Sequence, residues 1–359
     1  MSLALALGRR GLGNTWPNPA VGAVIVRAER DAPVIVGRGW TQPGGRPHAE
    51  VEALRRAGDQ ARDATMYVTL EPCSHHGKTP PCADAIVAAG VARVVSALED
   101  PNPEVAGSGH ARLRAAGIAV EVGLGAAEAR RAHAGHIRRM RDGRPHVTLK
   151  LAVSADGKVG AAGRRPAAIT GEAARARVHR MRAMNDAILV GIGTALADDP
   201  VLTCRLPGME KFSPVRVVLD AQLRLPPGSA LATSARATPV WVIAASDAAP
   251  DAVRALQAEG VEVLRTPAHA GRLDLAAVLR LLAERGITRL MVEGGPTVAA
   301  SFLAADLVDA AALFHSPKTI GPDGIDAIEG MTLDVLTGRL KLLGREPVGT
   351  DSVEFFARA

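Results

Sequence analysis

The feature that most constrains this chain is a set of three side chains, His48, Cys73 and Cys82, that are typical metal ligands but lie far apart in sequence. A structural zinc site is usually closed by four protein ligands, whereas three ligands leave one position for water. Glu50 follows His48 by two residues, on the opening turn of an apparent helix, and is close enough to exchange protons with that water. The sequence therefore predicts a fold that brings these residues together as a hydrolytic zinc site, with Glu50 as the catalytic residue.

Neighbouring residues leave a second interpretation of this metal site open. His75 and His76 lie between the two cysteines, and a ligand from either would close the site and make it structural. Glu71 is a candidate to support the ligands without binding the metal. Lys78 and Thr79 are candidates for binding a substrate phosphate, although a solvated loop explains them equally well.

Composition argues against nucleic-acid and membrane partners. The net charge is +6, but no block of five or six like charges occurs, and aromatic residues make up only 3% of the chain. The apolar runs are too short and too often broken by glycine to span a bilayer. Three cysteines do not make a disulfide framework, and the N-terminus does not read as a signal peptide. We therefore expect a cytoplasmic protein with a small-molecule substrate, and the sequence leaves open whether it forms a homo-oligomer.

The order of predicted elements divides the 359 residues into two α/β domains. Val- and Ile-rich runs bounded by Gly or Pro predict strands, and an Arg-rich helix at 128–141 leads to the link Asp142–Pro145. Strands and helices then alternate, which predicts an α/β sheet. The domains are therefore placed at 1–143 and 146–359. The predicted strands are 21–26, 34–36, 66–70, 93–98, 120–124, 147–154, 187–192, 215–219, 239–244, 261–264, 289–292, 310–314 and 352–356, and the remaining predicted helices are 48–57, 82–89, 171–184, 251–259, 274–285 and 296–305.

The second domain has no G-x-G-x-x-G motif, so a Rossmann fold is not supported. Instead, the segment Glu293-Gly294-Gly295-Pro296-Thr297 lies between a predicted strand and a predicted helix. Two glycines let the backbone approach a ligand, and the free N–H groups of the helix start, with Pro296 in its first turn, suit a phosphate. The alternative is a turn followed by an ordinary helix start.

Longer motifs resemble one enzyme family. The segment at 71–82, which reads EPCSHHGKTPPC, and the upstream segment at 17–22 resemble the deaminase half of the bifunctional deaminase–reductase of riboflavin biosynthesis. In the second domain, segments at 150–157, 169–170, 186–191 and 198–205 occur in the order seen in the reductase half. The resemblance implies a cytidine-deaminase-like N-terminal domain that binds zinc and a dihydrofolate-reductase-like C-terminal domain that binds NADPH.

The same resemblance implies roles for individual residues. One departure is Ala168, because many family members carry a tryptophan there beside the cofactor, so the nicotinamide contacts at 166–168 are in question. Lys150 is a candidate to approach the ribose, and a guanidinium fork suits a substrate phosphate. The implied cofactor-binding residues are Val153, Thr194, Asp198, Gly295, Pro296, Thr297, Val298, Ala299, Ala300 and Ser301, and the implied substrate-binding residues are Asn18, Arg182, Val201, Arg205 and Glu293.

We therefore expect a bifunctional enzyme. The resemblance implies that the first domain deaminates 2,5-diamino-6-(5-phosphoribosylamino)pyrimidin-4-one and that the second reduces the ribosyl group of the product to ribityl with NADPH. Two rival hypotheses are a tRNA or nucleoside deaminase with an appended nucleotide-binding domain, and a zinc-stabilised nucleotide-binding module without catalysis. The long segment between Cys73 and Cys82 counts against the first rival, and Glu50 counts against the second.

Overall fold

The computed structural model describes residues 1–77, 79–161 and 168–358. The chain forms two compact units, Met1–Arg144 and Pro145–Ala359. Each unit has its own sheet and its own apolar core. Within the described residues, no helix combines the length and the apolar character needed to cross a membrane.

The first unit is built on a mixed sheet. Its elements are α1 (Ser2–Gly8), β1 (Gly22–Arg27), β2 (Val34–Trp40), α2 (Ala49–Ala57), β3 (Thr65–Val68), α3 (Cys82–Ala88), β4 (Arg93–Ser96), α4 (Ser108–Ala115), β5 (Ala119–Val122), α5 (Ala126–Ala132) and α6 (Ala134–Asp142). The strand order is β2-β1-β3-β4-β5. β1 runs antiparallel to β2 and β3, whereas β3, β4 and β5 are parallel. Apolar side chains of the strands and of α2 and α3 form the core, which includes Ile25, Met66, Ile86 and Val94.

Helix α2 lies close to β2 because glycines of the strand leave room for it. A Cβ atom at Gly37 would lie 2.3 Å from the carbonyl oxygen of Ala53, and one at Gly39 would lie 2.3 Å from that of Ala49. This close packing fixes the start of α2. It therefore also fixes His48, which precedes the helix, and Glu50 in its first turn.

The second unit is built on a sheet that is mainly parallel. Its elements are β6 (His146–Val153), β7 (Lys158–Gly160), α7 (Glu172–Ala183), β8 (Ala187–Gly191), α8 (Ile192–Asp198), β9 (Val215–Leu219), α9 (Ala230–Thr233), β10 (Val240–Ala245), α10 (Pro250–Ala258), β11 (Glu262–Thr266), β12 (Ala268–His269), β13 (Arg272–Leu273), α11 (Leu275–Glu284), β14 (Arg289–Val292), α12 (Pro296–Ala304), β15 (Ala310–His315), β16 (Ile325–Asp326), α13 (Asp334–Thr337), β17 (Lys341–Val348) and β18 (Asp351–Ala357).

The strand order of this sheet is β11-β10-β9-β8-β14-β6-β15-β18-β17. From β11 to β15 all neighbouring strands are parallel, and β18 and β17 complete the sheet with antiparallel pairs. The carboxyl ends of β9, β8, β14 and β6 therefore lie side by side. In open α/β sheets this is the edge at which ligands bind.

The predicted elements that contain the motifs agree with the structure to within about two residues, the usual uncertainty of helix and strand ends. The Arg-rich helix predicted at 128–141 is instead two helices, α5 and α6. They meet at His133, where φ is −95° and ψ is 13°, and the His133 side chain contacts Thr69, with Nε2 3.0 Å from Oγ1. Strand β17 is absent from the prediction because it is largely exposed and contains Gly344 and Pro347, so that it lacks an apolar run.

We predict that Gly39→Ala destabilises the first unit by about 1–3 kcal/mol, because the added methyl group would force α2 away from β2. Urea unfolding followed by tryptophan fluorescence measures this change. Gly77→Ala is the matched control, since a Cβ atom there would lie 3.7 Å from the nearest atom, at an ordinary contact distance. Equal stability of the two variants would contradict the close packing of α2 on β2.

Candidate functional site

The structure brings the three predicted metal ligands together. His48 precedes α2, Cys82 is the first residue of α3, and Cys73 lies in the loop after β3. The His48 Nδ1 atom is 3.2 Å from Cys82 Sγ and 3.7 Å from Cys73 Sγ. All three atoms lie within 4.8 Å of one another. Two sulfurs and one imidazole nitrogen at this separation fit a zinc ion, and such a set leaves the fourth tetrahedral position to water.

The two cysteines are coupled through the start of α3. The backbone N–H of Cys82 donates a hydrogen bond to Cys73 Sγ at 3.3 Å. Hydrogen bonds from the Cys82 thiol and from His48 lower the pKa of Cys73. The pKa of Cys82 is raised, because its thiol donates a hydrogen bond to Cys73 and because it is buried. The site therefore favours the thiolate form of Cys73, which is the form that binds a metal.

The two histidines of the closed-site interpretation lie apart from this group. His75 and His76 are exposed, and among the described residues neither joins His48, Cys73 and Cys82. Lys78 lies outside the described residues. The arrangement favours a site with three protein ligands over a closed site with four.

Glu50 is buried beside the ligands, with 3% of its surface exposed. Burial raises the pKa of Glu50 to about 7, although the positive charge of His48 opposes this shift. In the described part of the chain its Oε2 atom has no hydrogen-bond partner. A carboxyl group that titrates near neutral pH and has a free oxygen suits proton transfer.

Two further side chains face the other ring nitrogen of His48. Asn18 Nδ2 lies 3.4 Å from His48 Nε2 and donates to the carbonyl oxygen of Gly45 at 2.9 Å, which orients its amide group. Arg46 Nη1 lies 3.5 Å from the same nitrogen and donates to Thr79 Oγ1 at 2.9 Å. Sequence reasoning missed Arg46, and its place two residues before His48 is the only signal for it.

Glu71 has a different role from the expected support of the ligand side chains. Its buried carboxylate accepts hydrogen bonds from four backbone N–H groups at 2.8–3.1 Å, and so fixes the start of α4 and the loop before it. This region packs against the metal-site loop, since a Cβ atom at Gly109 would lie 2.0 Å from the carbonyl oxygen of Pro72. The four donors are Asp100, Gly107, Gly109 and His110.

The second unit contains a cavity of about 1150 Å³ that is lined by residues from the carboxyl ends of β9, β8, β14 and β6. The turn at Gly294 and Gly295 forms part of its wall, and Thr194 Oγ1 accepts a hydrogen bond from the N–H of Gly295 at 3.1 Å. The residues with predicted roles that line the cavity are Lys150, Ala168, Arg182, Thr194, Asp198, Glu293, Gly295, Pro296, Thr297, Val298 and Ser301.

Other residues with predicted roles lie away from the cavity wall. The side chains of Val153 and Ala299 are buried in the core, because β6 and α12 turn these positions inward. Arg205 is exposed, and its backbone N–H donates to His179 Nδ1 at 3.3 Å. Residues 166 and 167 lie outside the described residues. The described residues of the prediction that are not in the wall are Val153, Val201, Arg205, Ala299 and Ala300.

One end of the cavity contains a buried charge network. Arg182 donates from Nε and Nη2 to the two carboxylate oxygens of Glu293 at 2.8 and 3.0 Å, and from Nη1 to the carbonyl oxygen of Thr203 at 3.1 Å. Lys150 Nζ lies 3.9 Å from Glu293 Oε2. Burial alone would raise the pKa of Glu293, but Arg182 and Lys150 outweigh burial and hold it below its ordinary value. The Arg182 fork, expected to bind a phosphate, is thus engaged by Glu293.

The other end of the cavity carries polar residues that sequence reasoning did not single out. Gln222 and Arg224 follow β9, and Arg272 begins β13. In the sequence they are three among many exposed polar side chains. For Gln222 and Arg224, the position after the end of β9 is the signal that relates them to a ligand site.

Both units are similar to known proteins. Residues 1–98 match the family model of the cytidine and deoxycytidylate deaminase zinc-binding region, and residues 145–353 match that of the RibD C-terminal domain. The riboflavin biosynthesis protein RibD of Escherichia coli is 43% identical over 344 residues, which cover 92% of this chain and 91% of that protein. RibD of Aquifex aeolicus is 41% identical over 364 residues, which cover 100% of this chain and 97% of that protein.

Solved structures show the same two-domain fold. RibD of Acinetobacter baumannii, form 1, superposes with a TM-score of 0.88 at 36% identity and covers 100% of this chain and 97% of that chain. A Thermotoga maritima diaminohydroxyphosphoribosylaminopyrimidine deaminase/5-amino-6-(5-phosphoribosylamino)uracil reductase gives 0.85 at 35% identity, with 100% and 97% covered. The predicted fold class, a cytidine-deaminase-like domain followed by an α/β reductase domain, is therefore confirmed.

We predict that Glu71→Gln destabilises the first unit by about 1–3 kcal/mol, because an amide NH₂ cannot accept the backbone N–H groups that it would face. Urea unfolding measures the loss. Glu104→Gln removes an exposed carboxylate from the same loop and is the control. If the Glu71 variant had the same urea midpoint of unfolding as the wild type, these four hydrogen bonds would not stabilise the unit.

Proposed function

Because the chain belongs to the RibD family of bifunctional riboflavin biosynthesis proteins, we propose specific residues for its two activities. The first unit is a deaminase that acts on 2,5-diamino-6-(5-phosphoribosylamino)pyrimidin-4-one, and the second is a reductase that converts the ribosyl group of the deaminated product into ribityl. In this proposal His48, Cys73 and Cys82 hold zinc, Glu50 transfers protons, and the cavity of the second unit binds NADPH.

One observation carries the deaminase assignment. Glu50 has a buried carboxylate oxygen without a hydrogen-bond partner among the described residues, and it lies two residues from His48 in the group of zinc-compatible donors. A structural metal site does not need a buried, unpaired carboxylate, since such a group destabilises the fold. A hydrolytic site does need one, because protons must move from water to the leaving amine.

The chemistry of the first unit follows from these positions. Zinc, when bound, supplies a Lewis acid that lowers the pKa of a water molecule toward about 7. Glu50 takes one proton from the attacking water and gives it to the ring nitrogen. It then takes the second proton and gives it to the amino group, which leaves as ammonia. Asn18 Oδ1 accepts a hydrogen bond from the pyrimidine edge, and Arg46 with Thr79 provides a positive site for the substrate phosphate.

The cavity of the second unit fits a nicotinamide dinucleotide. Gly193 and Gly295 line it, and a Cβ atom at Gly193 would meet no atom within 4 Å, so a ligand can approach the backbone there. The start of α12, with Pro296 at its first position, presents free N–H groups that suit a diphosphate. The cofactor, when bound, supplies the hydride for the reduction.

The charge network of Lys150, Arg182 and Glu293 lies at the end of the cavity that binds the substrate in this proposal. Glu293 is fixed by Arg182 and accepts hydrogen bonds from hydroxyl groups of the sugar. Lys150, whose pKa is lowered by burial, gives the proton that the nitrogen of the opened ribosylamine needs when its carbon is reduced. Arg205 lies outside the cavity wall, but it is exposed and can bind a substrate phosphate that extends beyond the wall, whereas Arg182 is engaged by Glu293.

We predict that Glu50→Gln retains zinc and fold but releases no ammonia, because an amide cannot carry a proton between two atoms. Metal analysis and an ammonia assay on the diaminopyrimidine substrate test both parts. Glu52→Gln is the control, because Glu52 lies on the same helix but pairs with Arg55 and Arg56, and it retains activity. Appreciable deamination by the Glu50 variant would show that Glu50 does not transfer the protons.

We predict that Gly295→Val weakens NADPH binding about tenfold or more. The larger side chain would crowd Thr194, since a Cβ atom alone would lie 3.3 Å from Thr194 Oγ1. Deamination is retained, because the metal ligands belong to the other unit. Titration by NADPH fluorescence gives the affinity, and Gly228→Val, where a Cβ atom would meet nothing within 4 Å, is the control. Wild-type affinity of the Gly295 variant would place the cofactor elsewhere.

A further inference from the structure

We propose that His179 is a positioning residue of the reductase site, which fixes the backbone of Arg205 and so directs the Arg205 guanidinium toward the substrate phosphate. The proposal rests on the role proposed above for Arg205 and deepens it, because it names the group that holds this arginine in place. His179 lies on α7 and is not among the residues that line the cavity. The reaction described above does not use it.

Arg205 ends an irregular segment, residues 201–205, whose backbone is held by side chains from other parts of the unit. Four of its backbone groups have such a partner, each at 3.1–3.3 Å. The pairs are the Val201 carbonyl with Arg216 Nη1, the Thr203 carbonyl with Arg182 Nη1, the Cys204 N–H with Ser213 Oγ, and the Arg205 N–H with His179 Nδ1.

Leu202, in the middle of this segment, has a strained backbone. Its φ value is 58°, in the left-handed region that a residue with a side chain rarely adopts, and its side chain is buried. Such a conformation persists only where the surrounding structure fixes it, and it is common at ligand sites. Pro200 and Leu202 line the cavity, and Arg205 follows within about 11 Å of chain. The segment is therefore fixed at the edge of the proposed substrate site.

The contacts of His179 Nδ1 determine which form of the ring holds Arg205. The atom lies 3.0 Å from the carbonyl oxygen of Thr203 and 3.3 Å from the backbone nitrogen of Arg205. A carbonyl only accepts and an N–H only donates, so one ring nitrogen serves one of them at a time. The Thr203 carbonyl already has Arg182 as a donor. Among the described residues the Arg205 N–H has no other acceptor, so the neutral ring, protonated on Nε2, satisfies both groups.

The surroundings of His179 favour this neutral ring. Burial, and then the charge of Arg182, lower the pKa of His179, and Arg205 acts in the same direction. The carbonyl of Thr203 and the carboxylate of Glu293 oppose this shift without overcoming it. Nδ1 therefore remains an acceptor at neutral pH.

Helix α7 relates the two parts of the proposed substrate site. His179 and Arg182 are three residues apart and so lie on the same side of the helix. Arg182 holds Glu293, which binds the sugar in this proposal, while His179 holds Arg205. Covalent bonds limit the distance between sugar and phosphate in the substrate, so both contacts form only if the two protein groups are correctly spaced.

The alternative is that His179 merely fills space between α7 and the segment. The test therefore compares His179→Leu with His179→Asn in the full-length protein. Both side chains branch at Cγ, but only Asn has an acceptor, Oδ1, where Nδ1 of the histidine lies. The probes are 5-amino-6-(5-phosphoribosylamino)uracil and its dephosphorylated form, each reduced with saturating NADPH.

We expect His179→Leu to raise KM for the phosphorylated probe about three- to tenfold, the range for one neutral hydrogen bond. The kcat value should change less than about twofold, because the bond affects binding rather than hydride transfer. KM for the dephosphorylated probe should be unchanged. His179→Asn should restore KM to within about twofold of the wild type. Equal effects of the Leu and Asn variants, or equal effects on the two probes, would overturn the positioning role.

Arg205→Ala separates this role from the phosphate site itself. It should raise KM for the phosphorylated probe about tenfold or more. His179→Leu added to it should change KM by less than about twofold, because His179 acts through Arg205. An unchanged KM in Arg205→Ala would contradict the proposed phosphate role, whereas additive effects of the two changes would overturn only the positioning role. His269→Ala removes an exposed imidazole of β12 outside the cavity wall and is the control.

A pH profile tests the acceptor without a variant that lacks it. Protonation of Nδ1 ends its bond from the Arg205 N–H, so KM of the wild type should rise as pH falls below the ordinary histidine value of about 6.5. KM of His179→Asn, which does not titrate, should rise less. The substrate phosphate titrates equally in both experiments, so the difference reports His179. Parallel profiles would overturn the assignment of Nδ1 as the acceptor.

Discussion

The close approach of helix starts to strand ends is the constraint on which both sites depend. In the first unit, glycines in β2 let α2 lie directly on the sheet, and this places His48 and Glu50 opposite the start of α3 with Cys82. In the second unit, the turns after β8 and β14 end in helices whose first residues line the cavity. A helix start offers free N–H groups and the positive end of the helix dipole, so it stabilises thiolates and phosphates alike.

Much of this arrangement is predictable because it is local in sequence. The motif around His48 and the segment up to Cys82 each carry their own turn and helix-start signals, and so does the glycine turn before Pro296. The hydrophobic runs give the order of strands and helices, and hence the two-domain α/β class. Patterns of this kind depend only on neighbours within a few residues, so each helix start and the glycine turn could be predicted separately. The family resemblance then related His48 to Cys73 and Cys82, and the structure brings the three side chains together.

Interactions between distant segments were not predictable in this way. Glu71 accepts hydrogen bonds from backbone groups up to 39 residues away, and no sequence pattern identifies a backbone donor. Arg182 pairs with Glu293 across 111 residues, so its fork was assigned to a phosphate although the structure engages it with a carboxylate. Arg46 donates a hydrogen bond to Thr79, which lies 33 residues away. The missing information in each case is which surfaces the fold brings together.

The two ends of the cavity in the second unit differ in how their charged side chains are paired. At the end where β6 and β14 meet, two hydrogen bonds join Arg182 to Glu293, and Lys150 lies 3.9 Å from the same carboxylate. These groups can be buried because their charges compensate one another. At the other end, Arg224 is exposed and only loosely paired. An exposed guanidinium stays solvated, so its charge does not destabilise the fold. The first end is therefore organised by its own ion pairs, whereas the second end exposes a cation to solvent.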